Sequence, residues 1–476
     1  MRIEEFIQLS GPLFEAVQQA AIFPDAKTFV DCTPMGDPKD ILTRYEKEKK
    51  GSSFDLKAFV LAHFELPCKA HEEIPRAKTM EEYIEKMWTV LRKPMESPSS
   101  YSTLISLPHP HIVPGGRFRE CFYWDSYFTA LGLMASGQIA IVKEMVENFA
   151  ALIDRLGFIP NGNRVYFTSR SQPPYFAFLL DLLIEEGEKA FALSFIPHLE
   201  KEYQYWMSSA TEVEGVLLNH YFDALNIPRP EAYKRETALG QKVNRTDFYQ
   251  NLRAACASGW DFSSRWLGDQ MHFETIWTQE ILPIDLNCLL YFMEKVLGTY
   301  SKNPALYEKR AAERKQAIQT LFWNEDFFYD YHPLLKEHTL VPSLAAATPL
   351  FVGIATDAQA DRIAKILERS FLYPGGFATT LVEGIHQWDM PNGWAPLEWI
   401  TIQGLRKYGH ERLAKEGAHR WLTLNESLFK ERGTLLEKYN VRECSTEVAP
   451  GEYALQQGFG WTNGVALALM QQLGSF

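Results

Sequence analysis

The sequence predicts an all-α fold. About a dozen stretches carry apolar residues at helical spacing, and many of them begin at a capping residue or a proline and end before a glycine. Alternating apolar runs, which would indicate strands, are few and short, Val165-Tyr166-Phe167-Thr168 being one. No repeat of fixed period is visible, which disfavours a tetratricopeptide-type array. The number of helices alone leaves a toroid, a solenoid and a bundle open.

The predicted helices follow one another along most of the chain. The first begins at the capping-box pattern of Thr79 and Glu82. Later helices are bounded by Gly or Pro, and Pro197 predicts a kink or break. The predicted spans are 80–91, 122–134, 139–156, 175–186, 188–207, 283–296, 304–322, 358–370, 397–408, 411–429 and 463–473. Two segments rich in Pro, Gly, Asn and polar residues, about 94–120 and 208–260, are predicted to be loops over one face.

Composition narrows the class of protein. The 476 residues are 46% hydrophobic and 23% charged, which is typical of a globular chain that buries a large core. The net charge of −12 and the lack of a Lys/Arg cluster disfavour a nucleic-acid partner. No stretch approaches the roughly 18 uncharged apolar residues of a membrane span. We therefore expect a soluble protein without a membrane or nucleic-acid partner.

Cysteine usage and the N-terminus favour a cytoplasmic location. The six cysteines are scattered without a Cys-x-x-Cys pair, so we expect buried thiols in a reducing compartment. They are Cys32, Cys68, Cys121, Cys256, Cys288 and Cys444. Residues 1–10 carry two acids where a signal peptide would carry basic residues. No zinc, phosphate-loop or dinucleotide motif appears, and no nucleophile elbow, so we expect neither a metal nor a cofactor.

Three Trp-Asp pairs are the first sign of a functional site. They are Trp124-Asp125, Trp260-Asp261 and Trp388-Asp389, where this composition predicts about 0.5 by chance. Flat aromatic faces suit sugar rings, although a core also accommodates them. Asp125 is equally well explained as a helix cap or as the partner of an Arg, and Asp261 as the partner of Arg265.

Asp261 has the surroundings of a general acid. The indole and phenyl rings beside it would desolvate the carboxyl group and raise its pKa, so that it keeps a proton for a leaving oxygen. Hydrolysis of a glycosidic bond needs a second carboxyl group. Glu437 and Glu452 are both candidates, although a single Glu is most often a solvated surface group.

Hydrogen-bonding groups suited to sugar hydroxyls gather between the predicted helices. Asn161, Arg170 and Gln172 lie in one such segment, which also carries ordinary turn signals. Arg229 and Glu231 lie in a Pro-rich loop and, taken alone, are better explained as solvated residues.

These segments, in this order, resemble the trehalases of glycoside hydrolase family 37. The stretches PGGRFRECFYWDSY at 114–127 and QWDMPNGWAP at 387–396 are similar to the two signatures of that family. Between and around them, FPDAKTFVD, PNGNR, SRSQPP, RPE, SGWDFSSRW, LLEKYNV, GEY and GFGWTNGV also match in order. The resemblance covers almost the whole chain.

The resemblance implies an (α/α)6 toroid with long active-site loops. It implies a single catalytic domain over 1–476, with 1–75 as an N-terminal extension packed on the barrel. It also implies a monomeric, cofactor-free inverting hydrolase that splits α,α-trehalose into one β- and one α-glucose. Asp261 falls on the general-acid position and Glu437 on the general-base position. The implied substrate-binding residues are Arg117, Phe118, Trp124, Asp125, Asn161, Arg170, Gln172, Arg229, Glu231, Gly259, Gln387, Trp388 and Glu452.

Two departures from the family pattern keep other functions open. Phe122 stands where family members usually carry Tyr, and the Gly-poor, charged segment 441–451 stands where many relatives have a Gly-rich covering loop. We expect that segment to be stiffer, which bears on substrate preference. The alternatives are a related helical-toroid glycosidase for another α-glucoside, a non-catalytic sugar-binding relative and a purely structural helical protein.

Overall fold

The computed structural model describes residues 3–67, 74–449 and 451–474, and helices dominate it. This confirms the all-α class. The α-helices are α1 (Pro12–Ala20), α2 (Lys27–Val30), α3 (Pro38–Glu48), α4 (Leu56–His63), α5 (Met80–Leu91), α6 (Tyr123–Ala135), α7 (Ile139–Leu156), α8 (Phe176–Glu185), α9 (Lys189–Leu193), α10 (Ile196–Met207), α11 (Tyr233–Gly240), α12 (Phe248–Ala257), α13 (Ile284–Tyr300), α14 (Pro304–Leu321), α15 (Thr348–Phe351), α16 (Asp357–Ile366), α17 (Ala395–Lys407), α18 (Glu411–Arg432) and α19 (Gly460–Leu473).

Strands are confined to short antiparallel pairs between the helices. The paired strands are Thr33–Pro34 with Phe64–Glu65, Arg92–Lys93 with His111–Ile112, Thr211–Val213 with Val216–Leu218, Trp323–Asn324 with Phe327–Phe328, Tyr331–His332 with Glu337–His338, Leu372–Tyr373 with Gly376–Phe377, and Asn392–Gly393 with Tyr439–Asn440. Single turns of 3₁₀-helix lie at Ile3–Glu5, Val165–Phe167, Pro230–Ala232, Ser264–Trp266, Phe273–Thr275 and Leu344–Ala347, and a π-turn at Leu367–Phe371. The last strand pair joins the segments that precede α17 and follow α18.

Six inner helices form a closed ring. Helices α6, α8, α13, α15, α17 and α19 each contact the next, and α19 packs back on α6. Each inner helix follows an outer helix in the chain, in the order α5, α7, α10, α14, α16 and α18. Six helical hairpins arranged in this way make an (α/α)6 toroid, which confirms the fold that the resemblance implies.

The ring closes where α6 and α19 approach each other through glycines. A Cβ atom built on Gly132 of α6 would lie 2.5 Å from the Cα of Gly464 in α19. Any larger side chain at either position would push the two backbones apart. Gly132 and Gly464 therefore allow the first and last inner helices to meet directly.

Several predicted helix ends are confirmed and others are wrong. Helix α7 ends at Gly157, whose φ is 88°, and the predicted break near Pro197 separates α9 from α10. Helix α13 continues through Gly298 because that glycine faces Glu308 of α14 in close contact. Residues 165–167 form a 3₁₀ turn rather than a strand, and the predicted loop 208–260 contains α11 and α12.

The N-terminal segment packs against the ring through its own apolar cluster. Residues from 3 to 64 share that cluster with Phe122 and with 165–167. A buried polar network joins the same surfaces, because Glu120 accepts a 2.9 Å bond from Lys27 Nζ and a 2.7 Å bond from Arg164 Nε. The single-domain organisation, with an N-terminal extension over 1–75, stays a prediction.

Four cysteines are buried as expected, Cys32, Cys121, Cys256 and Cys288, and Cys68 lies outside the described residues. The expectation is wrong for Cys444, which is exposed at a turn in the 441–449 loop. Within the described ranges, every helix is too short or too polar to cross a membrane.

Candidate active site

A cavity of about 510 Å³ opens at the end of the ring where α6, α17 and α19 begin. This volume is within the usual range for a small-molecule site. The sequence-predicted site residues that line it are Arg117, Phe118, Trp124, Asp125, Asn161, Arg170, Gln172, Arg229, Glu231, Gly259, Asp261, Trp388, Glu437 and Glu452. Gln387 is buried behind the wall and does not belong to the lining.

Asp261 lies in the cavity wall with 29% of its side chain exposed. Burial and the charge of Glu452 raise the pKa of this carboxyl, Arg229, 3.9 Å away, opposes both, and the net result is a pKa of about 7. The alternative pairing with Arg265 is wrong, because Arg265 binds Asp285 at 2.7 Å and Asp330 at 2.7 Å. Asp261 is therefore protonated over much of the range up to neutral pH.

The loop that carries Asp261 is held by the loop that carries Trp388. The Trp388 amide donates to the carbonyl of Phe262 at 3.0 Å, and Gln387 Nε2 donates to the carbonyl of Asp261 at 2.5 Å. Asp389 accepts from the hydroxyl of Ser263 at 2.8 Å. Backbone and side-chain bonds together fix the position of the acid.

Glu437 is buried, with only 1% of its side chain exposed. The Tyr453 hydroxyl donates to its Oε1 at 2.8 Å, and Lys438 Nζ lies 3.3 Å from its Oε2. The indole N–H of Trp461 donates to the Glu437 carbonyl at 2.9 Å, which fixes the backbone as well. Both carboxylate oxygens thus receive a hydrogen bond, which fixes the orientation of the carboxylate.

Glu452 is held by two arginines at the edge of the cavity. Arg229 Nη2 donates to it at 2.8 Å, and Arg235 makes a further ion pair. Burial alone would raise the pKa of Glu452, but the charges of Arg229 and Arg235 outweigh burial and lower it. The expectation that Arg229 and Glu231 are solvated is wrong. Arg229 is only 3% exposed, and Arg170 Nη2 lies 3.6 Å from Glu231 Oε1.

Asp125 lies in the first turn of α6 and is 6% exposed. Burial raises its pKa well above the ordinary value, and the charges of Glu437 and Asp261 raise it further. The structure shows no ion pair between Asp125 and an arginine among the described residues. A neutral carboxyl in this position is able to donate a hydrogen bond to a ligand.

The three Trp-Asp pairs converge in one cluster. The ring of Trp388 lies 5.7 Å from that of Trp124 and 5.5 Å from that of Trp260. It also stacks on Trp394, with centroids 3.8 Å apart and planes within 1°. The three aspartates of these pairs differ in position: Asp125 and Asp261 line the cavity, and Asp389 lies behind it.

Sequence reasoning missed the part of the wall supplied by the N-terminal segment. Asp25 binds Arg117 through two bonds, to Nε at 2.8 Å and Nη2 at 2.7 Å, and Lys27 also lines the cavity. The matching stretch FPDAKTFVD was visible, but nothing in it marked Asp25 as part of a site. Other lining residues without a predicted role are Pro24, Ala26, Phe122, Phe167, Ala232, Arg235, Cys256, Trp394, Tyr453, Ala454, Gln456, Phe459 and Trp461.

The segment 441–449 is tied down by two asparagines. Asn440 Oδ1 accepts from the amides of Arg442 and Glu443, and its Nδ2 donates to the Glu447 carbonyl at 2.9 Å. Asn392 accepts from the Ala449 amide at 3.0 Å. These bonds give the segment a defined shape, and none of residues 441–449 lines the cavity.

Comparison with known proteins identifies the family. The family model named Trehalase matches residues 21–474. A periplasmic trehalase of Citrobacter koseri is 43% identical over 490 residues, which cover 97% of this chain and 85% of that protein. A periplasmic trehalase of Xanthomonas oryzae pv. oryzae is 43% identical over 483 residues, covering 96% and 85%. The solved neutral trehalase Nth1 of Saccharomyces cerevisiae is 26% identical, with a TM-score of 0.67 over 83% of this chain and 80% of that one.

The same comparison corrects the cytoplasmic location that the sequence favoured. Relatives of 42–43% identity across nearly the whole chain are named periplasmic trehalases. Buried thiols are compatible with that location, because a cysteine shielded from solvent and from a partner thiol is poorly placed to form a disulfide. The match to a family model along most of its length, and to relatives of this identity, shows that the chain belongs to the trehalase family.

Proposed function

We propose that this protein hydrolyses α,α-trehalose to two glucose molecules with inversion at the attacked carbon. One observation carries the proposal: a desolvated carboxyl, Asp261, with a pKa of about 7, shares a cavity with Glu437, whose two oxygens each receive a hydrogen bond. Membership of the trehalase family and the names of the relatives support the choice of substrate.

In the proposed mechanism Asp261 is the general acid and Glu437 the general base. Asp261 donates its proton to the glycosidic oxygen as the bond to the anomeric carbon breaks. Glu437 takes a proton from a water molecule, whose oxygen attacks that carbon from the opposite face. The attacked glucose leaves as the β-anomer and the leaving glucose as the α-anomer, and proton exchange with solvent restores both carboxyl groups.

The remaining polar residues of the wall bind and orient the sugar hydroxyls. Arg170 and Arg229 supply fixed guanidinium donors, and the carboxyl of Asp125 supplies a neutral donor beside them. The tryptophan cluster excludes bulk water, which strengthens these interactions and favours an oxocarbenium-like transition state. The residues that bind the sugar are therefore different from the two carboxyl groups that carry out the reaction, although all of them line one cavity.

Proton NMR at early times tests substrate and stereochemistry together. With trehalose, we expect α- and β-glucose to appear in equal initial amounts, and Asp261→Asn and Glu437→Gln to abolish both signals. Maltose and sucrose serve as comparison substrates. Initial release of α-glucose alone would refute inversion, and full activity in either variant would refute the assigned roles.

A second candidate is a related glycosidase for another α-glucoside. The Gly-poor segment 441–449, held by Asn440 and Asn392, favours it because it stands where the family pattern has a Gly-rich covering loop. Cleavage of maltose or sucrose while trehalose stays intact would support this candidate. Sugar binding without turnover across the tested pH range would instead indicate a binding protein.

We further propose a periplasmic location, on the names of the relatives. Fractionation of the native cells tests this proposal, with one marker enzyme for the periplasm and one for the cytoplasm. Trehalase protein that follows the cytoplasmic marker would overturn it.

A further inference from the structure

Lys438 is a buried cation directly behind the cavity wall. Its side chain is 1% exposed, and its Nζ lies 2.7 Å from Gln387 Oε1 and 3.3 Å from Glu437 Oε2. The ammonium also lies over the ring of Trp394, 4.7 Å from its centroid. Lys438 does not belong to the lining of the cavity, so its surroundings are protein groups.

Gln387 extends this contact to the loop of the general acid. Its Oε1 accepts from Lys438, and its Nε2 donates to the carbonyl of Asp261 at 2.5 Å. Both ends of the amide are therefore engaged inside the protein, which explains why Gln387 lies behind the cavity. A continuous path of hydrogen bonds runs from Glu437 through Lys438 and Gln387 to the backbone of Asp261.

Stability alone is a poor reason for this arrangement. Burying an ammonium and a carboxylate costs desolvation free energy that their attraction only partly offsets, and apolar residues often stabilise such a site better. A fixed cation against a carboxylate does, however, hold its oxygens in one orientation, which a general base requires to meet the attacking water.

We propose that Lys438 is a positioning residue of the hydrolytic reaction, which orients the carboxylate of Glu437 and, through Gln387, fixes its separation from Asp261. The proposal rests on the proposed function, because it assumes that Glu437 is the base. An inverting site depends on that separation, since a water molecule must fit between the base and the attacked carbon. The other titratable groups around Glu437 are Tyr453 and Asp125, and Arg117 lies across the ring of Tyr453.

The test uses two variants of Lys438 with trehalose as substrate. Lys438→Met removes the charge and the hydrogen bonds, while Lys438→Gln removes the charge and keeps a donor on a shorter side chain. For both we expect kcat to fall about 10- to 100-fold with KM within about twofold of the parent, because Lys438 does not touch the cavity.

A matched control separates this role from simple loss of a buried ion pair. Arg314 pairs with Glu294 at 3.0 Å between α13 and α14, and both side chains are as buried as those of Lys438 and Glu437. Arg314→Met should lower the melting temperature and leave kcat and the pH profile unchanged. If Lys438→Met fails to fold, Lys438→Gln decides the question alone.

The outcomes distinguish this proposal from the proposed function. If Glu437→Gln is inactive while both Lys438 variants keep the parental kcat, only the role of Lys438 is overturned. If Glu437→Gln stays active, the assignment of the base itself fails. An equal loss of kcat in the Lys438 and Arg314 variants would also overturn the proposal.

Discussion

Asp389 holds Ser264 through both of its carboxylate oxygens. The Ser264 amide donates to Oδ2 at 2.9 Å, and the Ser264 hydroxyl donates to Oδ1 at 2.9 Å. Ser264 lies three residues after Asp261, so the third Trp-Asp pair fixes the loop that carries the acid of the second. Asp389 thus acts on the site without facing the cavity.

Asp389→Asn should reduce turnover. An amide nitrogen in place of one oxygen leaves a donor facing the Ser264 N–H or hydroxyl, and an unsatisfied buried group costs about 1–3 kcal/mol. We expect a lower melting temperature and a fall in kcat of about tenfold or more, because a small displacement of Asp261 is enough to slow proton transfer. The control is Glu294→Gln, which changes an equally buried carboxylate outside the site. This variant should have a lower melting temperature and the parental kcat. Parental kcat in Asp389→Asn would contradict the role of Asp389.

Asp261→Asn should stabilise the protein at alkaline pH. The pKa of Asp261 in the folded protein, about 7, lies above its ordinary value of 3.8, so the folded state binds the proton more tightly than the unfolded state. The free energy of unfolding therefore falls as the pH rises from about 4 through 7, and the variant lacks this loss. We expect melting temperatures to differ by a few degrees at pH 8 and to coincide at pH 4. A constant difference across that range would show that Asp261 does not titrate in this way.

Glu452→Gln should move the alkaline limb of activity to lower pH. The charge of Glu452 helps to raise the pKa of Asp261, and its loss also leaves Arg229 free to stabilise the ionised aspartate. Both effects favour release of the proton that the general acid must keep. We expect the midpoint of the alkaline limb of the kcat/KM profile to lie about one pH unit lower than in the parent, measured between pH 4 and 9.

The control for this prediction is Glu443→Gln, which removes an exposed acid from the neighbouring loop. Its pH profile should match that of the parent, because surface charges are screened. The same shift in both variants would mean that the overall charge of the protein, rather than the contact with Arg229, determines the pH of the alkaline limb.

Asp25→Asn should weaken substrate binding. Asp25 fixes the guanidinium of Arg117 by two charge-assisted bonds, and an amide replaces one acceptor with a donor. We expect KM for trehalose to rise about tenfold with kcat within about threefold, because Arg117 lies in the wall of the binding cavity. Asp37→Asn, at the N-cap of α3 in the same segment, should leave KM unchanged. Equal KM values in the two variants would argue against a role for the N-terminal segment in the site.

Local signals predicted five of the six inner helices of the ring, and the sixth, α15, was missed because it has only four residues. Gly157 ends α7 because it adopts a left-handed conformation that other residues disfavour. Gly298 misled the prediction because the same residue type also serves close packing, and only the neighbouring helix reveals which role applies. Helix α12 was missed because it lies in a segment whose Pro, Gly and polar residues indicated a loop.

The motifs predicted which residues line the cavity. They did not predict which polar and charged groups would pair, because the partners lie in other segments of the chain. Arg265 follows Asp261 closely in sequence, yet Asp285 and Asp330 bind it. Gln387 stands in the second signature, yet its amide faces Lys438 and the Asp261 carbonyl rather than the cavity. Sequence order shows which residues belong to a site, but their partners are set by contacts between segments that lie 20 to 126 positions apart.

The direct contact between α6 and α19 has a consequence for biosynthesis. Helix α6 emerges from the ribosome hundreds of residues before α19. During that time the face of α6 that packs on α19 stays uncovered. Glu437 and Tyr453 are also made long after α6, so the proposed base reaches the cavity only when most of the ring has been synthesised. A nascent chain halted before α19 therefore exposes apolar surface of α6 and lacks the Trp461 indole that holds the backbone of Glu437, so a chaperone that covers this surface would protect the chain at this stage.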